Sequence, residues 1–277
     1  MNAKRDVSRR RIKALGQNFL VAQNVAQRIV ELANLDPNND VVLEIGPGAG
    51  HLTQFLVRHA KEVIAVEIDP ALAEQTKMKC QGNPNLRVIT ADILRIELPK
   101  CTKVVANLPY SISSPITFFL ISNLAKWNEC ILMFQKEFAD RLYAPPGSAN
   151  YSRLSAGVQY FLLVEKLMSV SRRNFTPQPK VDSVVVRFRQ RIPAPKASPS
   201  TYLATTHGIF PYKNRTLRNA VQLMLRKYQL PWETICRELA LEELAARRVR
   251  TLTPPEIEGI AEKMTRMGWI GKDREEP

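Results

Sequence analysis

Five short runs, apolar almost throughout, mark out the first half of this chain: Val41-Val42-Leu43-Glu44-Ile45, Glu62-Val63-Ile64-Ala65-Val66-Glu67, Leu86-Arg87-Val88-Ile89-Thr90, Lys103-Val104-Val105-Ala106 and Cys130-Ile131-Leu132-Met133-Phe134. Their length suits strands rather than helices. Helical spacing precedes or separates them. Val21 to Leu35 carries Val25, Ile29, Val30 and Leu32 on roughly one face, Leu52 to Leu56 opens a second helix, and Pro70 to Met78 follows Asp69, a suitable N-cap. Strands that are apolar on both faces and alternate with helices predict a parallel sheet covered on both sides. The expected fold class is therefore α/β, a mostly parallel Rossmann-like sheet. Phe161 to Val164 and Val181 to Phe188 bring it to seven strands, the latter alternating partly, as an antiparallel edge pair would.

The ends of these strands carry the chemistry. The first runs into Gly46-Pro47-Gly48-Ala49-Gly50, where glycines allow a tight turn and close approach of backbone to a ligand. The proline and the spacing depart from G-x-G-x-x-G, which argues against a dinucleotide. Glu67 ends the second strand, about 20 residues after Gly46, where an acidic side chain can grip ribose hydroxyls. Asp92 follows the third strand and can accept from an adenine amine. The fourth ends in Asn107-Leu108-Pro109-Tyr110. Pro109 keeps Leu108 extended, with its carbonyl able to point into a cleft. Asn107 offers an amide oxygen, and Tyr110 offers a ring on which a base can stack. Carboxyl ends of successive parallel strands are where ligands bind in such sheets. The set points to an adenosyl cofactor and to a flat substrate bearing an exocyclic amine.

Charge bears on the partner. Forty Lys and Arg against 26 Asp and Glu give a formal net charge of +14, a balance that favours a polyanion, nucleic acid before membrane. No apolar run approaches a membrane span, and no secretory segment follows the basic start. The four cysteines form no C-x-x-C pair and the three histidines have no ligand spacing, so no metal is expected and the thiols read as buried in a reducing cytoplasm. His51 and His59 read as structural or surface residues. Gln190 to Ser200 (QRIPAPKASPS) is Pro- and Ser-rich and reads as a linker; beyond it the pattern is helical, over Leu217 to Tyr228, Trp232 to Ala246 and a helix opened by the capping box Thr253-Pro254-Pro255-Glu256. The expected domains are 1–189, a linker over 190–200 and a helical domain over 201–277.

Taken together, Leu15-Gly16-Gln17-Asn18-Phe19-Leu20, the Gly loop from Glu44 to Thr53, Asn107 to Pro115 (NLPYSISSP), Asn174 to Ser183 (NFTPQPKVDS) and Asn214 to Asn219 (NRTLRN) resemble the ribosomal RNA adenine dimethyltransferases of the KsgA type. The resemblance implies a class I methyltransferase domain, S-adenosylmethionine as cofactor, and N6,N6-dimethylation of two adjacent adenosines near the 3′ end of small-subunit (16S) rRNA. It implies cofactor contacts by Gln17, Asn18, Leu20, Glu44, Gly46, Gly48, Gly50, Glu67, Ile68, Asp92, Ile93 and Asn107, and catalysis by Asn107, Leu108, Pro109 and Tyr110. Phe175 joins Tyr110 as the expected stacking pair for the base only because its motif matches.

Basic residues cluster around Lys4 to Lys13, Arg172 to Arg191 and Lys213 to Lys227. Arg10, Arg11, Lys13, Arg172, Arg173, Lys180, Lys213, Arg215 and Arg218 are the expected phosphate contacts. The partner is then small-subunit rRNA, bare or in an assembling subunit, bound by a cytoplasmic monomer. Two alternatives share much of this pattern: a resistance-type methyltransferase acting on large-subunit rRNA, and a non-catalytic RNA-binding relative such as a transcription factor. Pro115 and the segment Asn214 to Asn219 favour the small-subunit enzyme over the first, and the intact Asn107 to Tyr110 and Gly loop speak against the second.

Overall fold

The computed structural model describes residues 18–270, so Gln17, Arg10, Arg11 and Lys13 lie outside the described residues. Nine strands are present among them: β1 (Phe19–Leu20), β2 (Val41–Ile45), β3 (Glu62–Glu67), β4 (Leu86–Thr90), β5 (Lys103–Asn107), β6 (Glu129–Gln135), β7 (Leu162–Val170), β8 (Phe175–Thr176) and β9 (Ser183–Gln190). Seven form one sheet in the order β4-β3-β2-β5-β6-β9-β7, while β1 and β8 pair in a separate two-stranded ribbon. β2 to β6 run parallel, and β9 lies antiparallel to β6. All five apolar runs are strands within a residue of their expected limits. The chain lays β2, β3 and β4 outward in one direction, then crosses back to place β5 on the other side of β2. That reversal creates a switch point between β2 and β5, where a parallel sheet opens a crevice at its carboxyl ends.

Helices α1 (Gln23–Ala33), α2 (Thr53–Leu56), α3 (Pro70–Lys79) and α4 (Ser113–Ser122) connect these strands. Asp69 caps α3, accepting from the Ala71 amide at 2.8 Å. One core cluster joins Ile29 and Val30 of α1 to Val42, Val63, Val105, Ile131 and Val185 of the sheet. Later come α5 (Lys136–Leu142), α6 (Arg153–Phe161), α7 (Pro199–Ile209), α8 (Leu217–Met224), α9 (Trp232–Leu239) and α10 (Pro254–Arg266). The capping box expected at Thr253 and Glu256 opens α10.

The chain divides into two compact units, and the division is not the single cut that the linker suggests. One unit runs to Ala139 and resumes over Val164–Gln190; the other combines Asp140–Leu163 with the chain from Arg191 onward. Side chains of α6 and of the segment just before it explain why residues 140–163 belong to the second unit. The Tyr160 ring stacks on Tyr202 of α7 with centroids 3.9 Å apart, its hydroxyl donates to Glu258 of α10, and Tyr151 donates to the Leu252 carbonyl at 2.9 Å. The Pro-rich stretch is tied to the same unit: the Ala197 amide donates to the Tyr160 hydroxyl and the Lys196 amide to Glu258. Among the described residues no helix is long and apolar enough to cross a membrane. Cys80, Cys101 and Cys130 are buried and Cys236 is half-buried.

A chain truncated after residue 200 keeps α6 but loses Tyr202, Leu252 and Glu258. Uncovering the large aromatic side chains of α6 costs about 1.5–3 kcal/mol each, so the truncated protein is expected to melt at a lower temperature and to bind a hydrophobic dye. A melting curve matching that of the intact chain would show that residues 140–163 need no cover from the helices beyond residue 200.

Candidate active site

The cleft at the switch point has two halves that meet at Gly46 and Pro109. One is lined by Asn18, Phe19, Leu20, Glu44, Gly46, Pro47, Gly48, His51, Leu52, Asn107, Leu108 and Pro109. The other is lined by Ile45, Gly46, Val66, Glu67, Ile68, Ala91, Asp92, Ile93, Leu94, Pro109, Ser111 and Ile112. Asp92, Glu67, Gly46 and Asn107 thus follow or end four neighbouring strands, β4, β3, β2 and β5. Three steps between strands span about 14 Å, room for an extended nucleoside carrying a short charged arm.

Glu67 organises the half that also contains Asp92. It is 1% exposed, and its two carboxylate oxygens accept from the Gly48 amide and the Asp69 amide, both at 3.0 Å. Burial pushes its carboxyl above the ordinary value, against the pull of those amides. Each oxygen retains a lone pair for a ribose hydroxyl. Asp92 caps the short turn Ile93–Arg95 by accepting from the Leu94 amide at 3.0 Å, and Arg95 stands 3.4 Å from its other oxygen. Ile68, 51% exposed, and the buried Ile93 supply the apolar lining a purine ring needs.

The loop after β2 is held from both sides. The Gly48 amide is fixed on Glu67, and its carbonyl accepts from the Thr76 hydroxyl of α3 at 2.8 Å. Gly48 has φ +59°, and a Cβ there would stand 3.0 Å from the Phe19 ring. Gly46, at φ +68°, carries the cleft past Pro109, 3.4 Å from where its Cβ would be. Both positions need glycine for conformation, and Gly48 for closeness as well.

In the other half, the Asn107 side chain donates through Nδ2 to the Asn18 carbonyl at 3.4 Å. A carbonyl can only accept, so this bond fixes the orientation of the amide and leaves Oδ1 as an acceptor. Glu44 is 1% exposed and its Oε2 has no hydrogen-bond partner. Burial, with Glu67 nearby, pushes its carboxyl up to about 8. An orphaned buried acid and a cradle that a Cβ would fill are what an adenosyl cofactor with a cationic arm requires. The residues present fit S-adenosylmethionine.

Several expected residues behave differently. Phe175 does not line either half of the cleft. It is 3% exposed, pairs in register with Leu20 across the β1–β8 ribbon and belongs to the core cluster. Tyr110 follows the cleft wall half-buried, with its hydroxyl 2.8 Å from Ser183 Oγ. His51, expected to be a structural or surface residue, lines the cleft, and burial with Lys79 nearby lowers its imidazole below the ordinary value. Gly50 is buried beside Thr76, outside both linings. Of the basic residues, Arg173, Lys180, Arg215 and Arg218 are exposed, Arg218 with its guanidinium 5.1 Å from the Trp232 ring centre. Arg172 donates to the Lys180 carbonyl at 2.8 Å and Lys213 to the Ala149 carbonyl at 3.2 Å. Phe19, Pro47, Leu52, Ser111 and Ile112 also line the cleft; only their adjacency to the motif residues marks them in the sequence.

The model of the family described as ribosomal RNA adenine dimethylase matches residues 9–250. A probable ribosomal RNA small subunit methyltransferase A of Methanopyrus kandleri is 40% identical over 255 residues, 90% of each chain. The crystal structure of a dimethyladenosine transferase from Plasmodium falciparum has a TM-score of 0.78 at 33% identity and covers 90% of this chain and 98% of that one. That of the 23S rRNA methyltransferase ErmE has a TM-score of 0.62 at 28% identity, covering 90% and 100%.

Two substitutions test the cleft. Gly48→Ala forces a side chain into a left-handed conformation costing about 1–2 kcal/mol and against the Phe19 ring, and is expected to weaken cofactor binding. Glu67→Ala removes a charged acceptor whose hydrogen bonds are worth about 1.5–3 kcal/mol each, so calorimetry should show at least a tenfold loss of affinity. Unchanged affinity in Glu67→Ala would remove Glu67 from the site.

Proposed function

The chain belongs to the ribosomal RNA adenine dimethylase family, and on that premise we propose how its cleft performs the reaction. The protein is an S-adenosylmethionine-dependent rRNA adenine dimethyltransferase of ribosome biogenesis. It dimethylates the N6 amines of two adjacent adenosines near the 3′ end of small-subunit (16S) rRNA.

The observation that carries the mechanism is the fixed amide of Asn107 at the end of β5. An adenine N6 lone pair is delocalised into the ring, which makes the amine a poor nucleophile. Asn107 Oδ1 and the Leu108 carbonyl accept from its two N–H groups, favouring a more tetrahedral nitrogen with its lone pair directed at the methyl donor. Pro109 holds this segment extended at φ −57° and ψ 127°. Tyr110 stacks on the extruded base, its ring steadied by the hydroxyl contact with Ser183. When bound, S-adenosylmethionine supplies an activated methyl group and a neutral thioether leaving group. The residues of the chain position the reactants, and that positioning carries most of the catalysis. After transfer the nitrogen is cationic and acidic, so its proton leaves to water without a dedicated histidine base.

Exposed Arg173, Lys180, Arg215 and Arg218 are the proposed phosphate contacts, acting on rRNA either bare or in an assembling subunit. Phe175 supports the site from the core through the β1–β8 ribbon. A cytoplasmic location and a monomeric state complete the proposal. The large-subunit reading is the weaker one, since the likeness to ErmE is lower in both TM-score and identity than that to the dimethyladenosine transferase.

Mapping N6-methylated adenines on both purified subunits, after incubation with protein and cofactor, tests the assignment: label is expected at two adjacent adenosines of the small subunit, and label on the large subunit alone would overturn it. Asn107→Ala should abolish methyl transfer while RNA binding stays near wild type. Tyr110→Ala loses stacking worth about 1–3 kcal/mol, a roughly fivefold to 150-fold fall in turnover. Tyr110→Phe loses one hydrogen bond of about 1 kcal/mol and should fall no more than about fivefold. Equal damage from both Tyr110 substitutions would replace stacking with an essential hydroxyl.

A further inference from the structure

The Pro-rich stretch after β9, the end of α6 and the start of α10 enclose a cavity of about 470 Å³, all of it within the second unit. The two halves of the cleft hold about 40 and 120 Å³. Ligand pockets run from about 300 to 1,000 Å³, so this cavity has room for a guest, and no step of the methyl transfer uses it. Its apolar wall is made of Pro193, Pro195, Pro254 and Pro255. Ile192, in the same stretch, is 94% exposed. The polar groups are held by bonds that leave particular atoms over. Glu258 accepts through Oε1 from the Tyr160 hydroxyl and from the Lys196 amide, the latter at 3.1 Å, which leaves Oε2. Gln159 donates through Nε2 to the Leu142 and Ala144 carbonyls at 3.0 and 2.8 Å, which leaves Oε1 as an acceptor. Arg191 donates through Nε to the Gln159 carbonyl at 2.8 Å and keeps its two terminal nitrogens. Arg191 and Lys196 are both exposed.

Acceptors in the wall and cations at the rim suit a guest with N–H groups at one end and negative charge at the other. A nucleotide has both. Proline and isoleucine side chains pack against the faces of bases, and arginine and lysine donate to phosphate oxygens. Among the RNA bases guanine presents adjacent N1–H and N2–H donors on its pairing edge. Uracil presents a single N–H between two carbonyls, which a carboxylate repels. An acidic peptide would satisfy the cations but would bring its charge against Glu258. The formal net charge of +14 likewise favours a phosphodiester chain.

We propose that this cavity is a second RNA site, sharing no residue with the active-site cleft, and that it takes one unpaired guanosine of the RNA substrate. The base lies against the prolines with its N–H edge on Glu258 Oε2, and the adjoining phosphate lies on Arg191 and Lys196. The inference rests on the reading of rRNA as the partner. Such a site touches none of the reacting atoms. It adds affinity, and it fixes which stretch of RNA the second unit accepts, because a paired guanine has its N–H edge occupied and cannot enter.

Fluorescence anisotropy with two labelled strands, octauridylate and the same strand with one central guanosine, tests this on the full chain with S-adenosylhomocysteine saturating the cleft. Wild-type protein is expected to bind the guanosine strand at least about tenfold more tightly, the worth of a hydrogen bond to a charged acceptor. Phosphate contacts elsewhere are common to both strands, so the ratio reads the base alone and needs no variant. Glu258→Gln keeps the size of the side chain and an acceptor for Tyr160 while losing the charge, and should bring the ratio close to one. Lys196→Glu alters an exposed side chain and should weaken the guanosine strand about tenfold. Equal binding of the two strands by wild type, or an unchanged ratio in Glu258→Gln, overturns the inference while leaving rRNA as the partner. A Lys196→Glu protein that binds both strands as wild type does, yet binds the purified small subunit more weakly, overturns it in favour of a ribosomal protein as the guest. Failure to bind either strand at low salt would instead overturn the reading of RNA as the partner, and this inference with it.

Discussion

The buried carboxylate of Glu67 is the constraint on which the rest of the cleft depends. It joins the end of β3 to the loop after β2 by accepting from the amides of Asp69 and Gly48. Hydrogen bonds to a charged acceptor are worth about 1.5–3 kcal/mol each, and here they fix the loop before any ligand arrives. Thr76 holds the same Gly48 peptide from the opposite side. With Gly48 pinned at both its amide and its carbonyl, Gly46 can turn beneath Pro109 and bring the two halves of the cleft together.

That arrangement separates binding from chemistry along the sheet. In the proposed mechanism Glu67, Ile68, Asp92 and Ile93, which line one half of the cleft, grip the nucleoside, and Asn107 and Leu108, which line the other, hold the planar amine. Neither half asks a side chain to form a covalent bond or to relay a proton. The work is positional, and it falls on a strand end whose amide is already oriented by the Asn18 carbonyl. Fixed geometry of this kind reduces the entropy that must be lost when donor and acceptor meet.

The five parallel strands of the main sheet were readable because they are apolar almost throughout and bounded by turn residues, whereas β7 runs six residues past its expected end at Val164 through a stretch that contains Glu165, Lys166 and Ser169. Position along those strands then located Gly46, Glu67, Asp92 and Asn107 in one cleft. Other elements left weaker traces. β1 and β8 have two residues each, too few for any period to register. Helix α4 was hidden by Pro115, which sits in its first turn, where an amide proton has no helical partner anyway. Helix α6 begins at a Ser152–Ser155 capping box that lacks the usual acidic residue. Its membership of the second unit depends on Tyr160 meeting Tyr202 and Glu258, contacts distant in sequence that no local pattern encodes. Phe175, expected in the cleft, lies in the core, and His51, expected to be a structural or surface residue, lines the cleft, because what packs against a residue decides its place, not its type.

A crystal structure of the protein with S-adenosylmethionine tests the central claim most directly. The account predicts the ribose hydroxyls on the Glu67 carboxylate, the purine against Ile68 and Ile93, and the methyl group directed toward Asn107 Oδ1, with the Gly48 amide still bonded to Glu67. A cofactor bound away from Glu67, or one whose methyl group points away from Asn107, would contradict it.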